Sequence, residues 1–207
     1  KLFSTLYNTY SFLSLYANVD GFTGEEPIVA IEKRPEIDRW ILSSLNTLIK
    51  TVDNSLENYE PTKAARAISD FVNDNLSNWY VRLNRKRFWG GGMSEDKLSA
   101  YQTLYECMKT IALLMAPISP FYADRLYRDL VHEEDAAYSV HLAKLPVADE
   151  NAIDNALEER MAIAQTLTSM VLSLRRKSNI KVRQPLSTIM IPVDDPEQRA
   201  AIEAMSD

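Results

Sequence analysis

The chain has 207 residues, 46% of them hydrophobic and 25% charged, with a formal net charge of −6, the range of an ordinary globular protein with room for a substantial core. A single cysteine excludes a disulfide framework and any multi-cysteine zinc site, and no apolar run approaches the ~20 residues that span a bilayer. A reducing, cytoplasmic setting without a membrane is the expectation.

The first residues already follow helical spacing, with Leu2, Phe3, Leu6, Tyr7, Tyr10 and Leu13 on one side and no capping signal before them. The start Lys1-Leu2-Phe3 has neither an initiator Met nor a signal-peptide pattern, and the chain reads as an excised piece of a longer protein. This first helix is expected to run to about Val19, followed by a polar linker over 20–34. Pro35 opens a second helix on which Ile37, Ile41, Leu45, Leu48, Val52 and Leu56 recur every three or four residues. Pro61 suits the first turn of a third helix, whose stripe is Ile68, Val72, Leu76 and Leu83 and which stops at Gly90-Gly91-Gly92. Ser94 is an N-cap with Glu95 and Asp96 behind it, and Leu104, Met108, Ala112 and Met115 line the fourth helix up to Pro117. Ser119-Pro120 begins a fifth helix ending near Val131. Residues 132–150, with both histidines, read as an irregular excursion. A sixth helix carries Leu157, Ala164, Leu167, Val171 and Leu174. Ile180, Val182, Ile189, Ile191 and Val193 then read as strand, and Asp195-Pro196 starts a further helix. The fold class is all-α: a helical domain over 1–186 with the start of a small α/β element at 187–207.

One segment departs from scaffold. Residues 79–89 hold four cations and four aromatics and no acid, so the rest of the chain sums to −10. Cations for phosphates and rings for bases are what an exposed nucleic acid needs. At about 100° per residue, Trp79 and Arg87 fall back toward the apolar stripe, Trp79 as a core residue. Arg82, Arg85, Lys86 and Trp89 share a neighbouring, accessible arc. No acid lies four residues before or after any of these four, so local pairing does not account for them. The competing reading is a cationic face that docks an acidic protein.

Arg175, Arg176, Lys177, Lys181 and Arg183 form a second acid-free cluster. The first three suit the last turn of a helix, where cations offset the dipole and cap carbonyls. Lys181 and Arg183 alternate with Ile180 and Val182, which puts both on one face of an extended segment and makes them candidates for a second phosphate contact. No catalytic constellation is evident. His132 and His141 lack metal-pair spacing, Cys107 reads as a buried inert thiol, and the triple glycine lacks the Lys-Ser/Thr of a phosphate loop.

Asn78-Trp79-Tyr80-Val81-Arg82-Leu83 with Arg85, Arg87, Phe88 and Trp89 resembles the signature helix in the anticodon-binding domain of isoleucyl-tRNA synthetases. Four further segments agree in order: Asp38-Arg39-Trp40-Ile41-Leu42, Met115 to Phe121, Ser139-Val140-His141-Leu142, and Leu174 to Lys177 running into Ile180-Lys181-Val182-Arg183-Gln184-Pro185-Leu186. The signature helix alone also suits valyl- or leucyl-type relatives; the segment 180–186 favours the isoleucyl kind. The resemblance implies a helical bundle that binds the anticodon arm of tRNA(Ile) beside the catalytic body of its parent. Phosphates would be held by Arg82, Arg85 and Lys86, with Arg175, Arg176, Lys181 and Arg183 as further candidates, and Trp89 would stack on a base. ATP and Mg2+ are expected only for the parent's catalytic domain. This sequence has neither the HIGH nor the KMSKS signature, no cofactor site of its own, and no zinc-binding cysteines.

Overall fold

Long, rarely interrupted apolar stripes produce long helices. The computed structural model describes residues 1–131, 138–194 and 196–203, and His132 lies outside them. The chain divides into two compact units, Lys1–Ile153 and the residues from Asp154 on, whereas the sequence pattern keeps 1–186 together.

In the first unit, α1 (Leu2–Asp20) ends at Gly21, whose φ of 73° is the left-handed conformation that a β-carbon disfavours. A linker with one 3-10 turn (Ile31–Lys33) leads to α2 (Glu36–Glu57). Next, α3 (Pro61–Asp70) passes without a break into a π-helical stretch (Phe71–Val81) and then α4 (Arg82–Trp89). Ser94 caps α5 (Glu95–Met115), its Oγ accepting from the Lys97 backbone N–H at 3.1 Å. Pro120 opens α6, which closes at Arg128, three residues short of the expected Val131. Trp40, Ile41, Leu45, Val52, Ile68, Val72, Leu76, Tyr80, Phe88, Tyr101, Leu104, Met108, Ala112 and Met115 form the core. Cys107 lies within it, fully buried, and burial pushes its thiol well above its ordinary value.

The π-helical stretch overturns one part of the reading. In an α-helix, each step of four residues drifts about 40°, so Ile68 and Phe88 would point about 200° apart. Yet Ile68, Val72, Leu76, Tyr80, Asn84 and Phe88 are all buried. The wider i→i+5 turns of Phe71–Val81 absorb the drift and keep every fourth residue inward. Leu83, counted into the stripe at α-helical phase, is instead 57% exposed. Trp79 is half-buried rather than core.

In the second unit, Asp154 caps α7 (Asn155–Lys177), accepting from the Leu157 N–H at 3.0 Å, and α8 spans Pro196–Glu203. Of the expected α7 stripe only Leu157 is buried, and Leu174 is 62% exposed. The expected strand is not formed: among the described residues, 180–193 join no β-ladder, and a segment without a ladder partner is not a strand. No helix among the described residues is long and apolar enough to cross a membrane.

Candidate nucleic-acid interface

Helix α4 carries two opposed surfaces, separated by what each cation touches. Arg87 faces inward. Its Nη1 donates to Asp38 Oδ1 at 2.6 Å and its Nη2 to Asp38 Oδ2 at 2.9 Å, a two-pronged pair with a carboxylate whose side chain is fully buried. The same guanidinium donates to Asn84 Oδ1, to Ser99 Oγ, and to the side chain and backbone carbonyl of Asp96. Tyr80 donates its hydroxyl to Asp38 Oδ1 at 2.8 Å, and Ser99 donates to Oδ2 at 3.1 Å. Burial opposes the Arg87 charge, but hydrogen bonding to Asp38 and its negative charge outweigh this and hold the guanidinium above its ordinary range. Burial, with the Asp38 charge behind it, likewise raises Tyr80. The network ties α2, the π-helical stretch, α4 and α5 together, and leaves Arg87 no charge to offer a ligand.

Arg82, Arg85 and Lys86 face outward. All three are exposed, and none makes an ion pair or side-chain hydrogen bond with a described residue. Trp89, one turn beyond Arg85, is 58% exposed, with Leu83 exposed beside this face. The arc expected for Arg82, Arg85, Lys86 and Trp89 is therefore present, as is the inward turn of Arg87. Exposed cations next to an exposed indole make a surface that can neutralise phosphates and stack on a base.

The second cluster is arranged differently. A left-handed Asn179 (φ 54°) ends α7, with Ile180 N–H donating to Arg175 O at 2.8 Å and Asn179 N–H to Arg176 O at 3.2 Å. Backbone groups thus cap the helix, a task the sequence pattern assigns to Arg175, Arg176 and Lys177. Arg175 instead reaches forward, its Nη1 donating to Lys181 O at 2.9 Å and Gln184 O at 2.8 Å. Gln184 N–H donates to Lys181 O at 3.0 Å, so 181–184 is a turn. Lys181 and Arg183 are exposed but do not alternate along an extended face, which removes the argument that grouped them. Arg176 is exposed as well.

Sequence reasoning missed the inner framework: Asp38, Asn84, Lys97, Ser99 and Asp20. Two signals could have found part of it. Asp38 lies three residues before Ile41 and four before Leu42, at the edge of an apolar stripe where an acid needs a partner. Lys97 is a cation in the first turn of a helix, against the dipole.

Comparison with known proteins identifies the family. The model of the anticodon-binding domain of tRNA ligases matches residues 38–190, a span that crosses the division between the two units. Among curated relatives, the isoleucine–tRNA ligase of Bacteroides thetaiotaomicron is 69% identical over 207 residues, covering 99% of this chain. Those of Bacteroides fragilis and Porphyromonas gingivalis are 68% and 65% identical, with the same coverage. The chain spans 18% of the length of each of these relatives. With three-quarters of its residues matched, and its basic helix built as described, the chain belongs to the anticodon-binding domain family of tRNA ligases.

Proposed function

We propose that this chain binds the anticodon arm of tRNA(Ile) as part of an isoleucine–tRNA ligase. One observation carries the assignment to a face: within the two turns of α4, Arg87 is fully compensated by acids, while Arg82, Arg85 and Lys86 have no described counter-charge. In an acidic chain those three cations await an external polyanion. Arg82, Arg85 and Lys86 would take phosphates and Trp89 an unpaired base of the loop. The binding energy would be read out at a distance. The catalytic body of the parent, with ATP and Mg2+, would activate isoleucine and transfer it to the tRNA, in the cytoplasm where protein is made. This chain would contribute recognition to that reaction.

The test is a titration of a labelled tRNA(Ile) anticodon stem-loop against the chain and Arg82→Ala/Arg85→Ala at several salt concentrations. Each lost phosphate contact should flatten the log–log salt dependence by about 0.7–0.9. Unchanged affinity and slope would remove this face from the interface. Binding of an acidic protein that ignores Trp89→Ala would support the docking alternative.

A further inference from the structure

The end of α4 that carries Trp89 is poorly held by its own backbone. Gly90 closes the helix in an extended conformation, φ −67° and ψ 149°. A β-carbon on Gly90 or Gly91 would meet nothing within 4 Å, and of the three consecutive glycines only Gly92 has a positive φ, 79°. Sterics therefore do not demand glycine at 90 and 91; their effect is to leave the connection to α5 conformationally slack.

One side chain crosses that slack. Lys97 Nζ donates to Gly90 O at 2.6 Å and pairs with Asp20 Oδ2 at 2.5 Å, its side chain only 3% exposed. Gly90 O stands at a helix end, where carbonyls have no intrahelical partner. Lys97 itself lies in the first turn of α5, where the dipole disfavours a cation, and it is buried, where desolvation disfavours any charge. Neither burial nor its own helix accounts for a lysine there; what it grips does. Asp20 closes α1 and also accepts from the Tyr101 hydroxyl. The Tyr101 ring meets Phe88 edge-on at 4.9 Å, and Phe88 meets Phe12 of α1 at 5.0 Å. Helix α1 precedes the matched residues 38–190, so a support of the last turn of α4 lies outside that span.

We propose that Lys97 is a positioning residue for Trp89: by gripping Gly90 O and Asp20 together it fixes the last turn of α4, and α1 braces the ring offered to a base. The inference rests on the RNA reading of this face given above.

The experiment uses the 207-residue chain labelled with 5-fluorotryptophan, whose three tryptophans give three 19F resonances assignable by single Trp→Phe replacements. In Lys97→Met the Trp89 resonance should shift toward that of the free amino acid and sharpen, while those of Trp40 and Trp79 stay in place. Affinity for the tRNA(Ile) anticodon stem-loop should fall about 5- to 150-fold, the range of one stacked base, and adding Trp89→Ala should cost nothing more. A Trp89 resonance that does not move overturns the proposal, whatever happens to binding. If Lys97→Met unfolds because Asp20 has lost its counter-charge, Asp20→Asn/Lys97→Met removes both charges and is judged by the same resonance. Collapse of all three resonances in that double variant assigns Lys97 to general stability and also overturns the proposal. If neither the unaltered chain nor any variant binds the stem-loop, the RNA reading falls, and the Trp89 resonance still decides whether Lys97 positions it.

Discussion

Two clusters, each of four or five cations without an acid among them, reach opposite ends. In α4, one arginine of the cluster is drawn inward onto Asp38 and Asp96, and that anchorage presents the other three cations to solvent from a rigid helix. At 175–183 no cation is ion-paired among the described residues; Arg175 is occupied with the backbone carbonyls of a turn, and Lys181 and Arg183 ride on that turn. Local charge density is the same signal in both. What separates the two is the buried framework behind the first, because side chains on a packed helix keep their geometry better than those on a turn.

The largest test of that contrast is stability. Asp38→Ala strands Arg87 in the interior without its main partner, and breaking such a pair costs about 3–5 kcal/mol, to be read from urea unfolding. Arg175→Ala removes a half-buried side chain's bonds to a turn and should cost below about 1 kcal/mol. Equal costs would erase the distinction. Binding comes next: in the stem-loop titration, Lys181→Ala/Arg183→Ala should flatten the salt slope by less than half as much as Arg82→Ala/Arg85→Ala, which is expected to remove about 0.7–0.9 per contact. If the two pairs match, the second cluster is as much an interface as the first.

A smaller effect concerns acid. Hydrogen bonds from Lys97 and then Tyr101 hold the Asp20 carboxyl below its ordinary value of 3.8. Its folded value is depressed, so its contribution is present above 3.8 and is lost as pH falls through the lower, folded value. Asp20→Asn should therefore flatten the fall in urea midpoint below about pH 4, while lowering the midpoint at pH 6. The smallest effect compares two left-handed non-glycine residues, Tyr59 (φ 57°) and Asn179 (φ 54°). Tyr59 is 93% exposed and packs little, so Tyr59→Gly should raise stability by about 1 kcal/mol as strain is relieved. Asn179→Gly should gain less, since asparagine tolerates this conformation.

Periodicity and capping made the helices legible, because apolar stripes at Ile41 to Val52 and Leu104 to Met115 bury against one another, and Pro61, Ser94 and Pro120 mark where backbone donors lose partners. The outward arc of α4 was legible too, since acid-free spacing is visible in one dimension. The inner framework was not: Asp38 and Arg87 are 49 residues apart, and nothing local announces that they meet. Leu83 was misplaced because periodicity assumes a constant turn, and Trp79 because half-burial depends on neighbours. The segment 180–193 carries β-branched residues but finds no partner strand among the described residues, and propensity without a ladder is not structure.

The π-helical stretch acts as a gear between the buried part of the long helix and its working end. Removing one residue between 73 and 79, with the turns otherwise kept, would move every later residue back one place along the helix, setting Phe88 where Arg87 meets Asp38 and Arg87 in the exposed place of Lys86 without altering a residue of the basic motif. Among relatives, then, matching cations are not enough to transfer the interface. The number of residues that separates them from Ile68 sets which of them face outward, and an insertion or deletion there alters the exposed face as surely as a substitution within it.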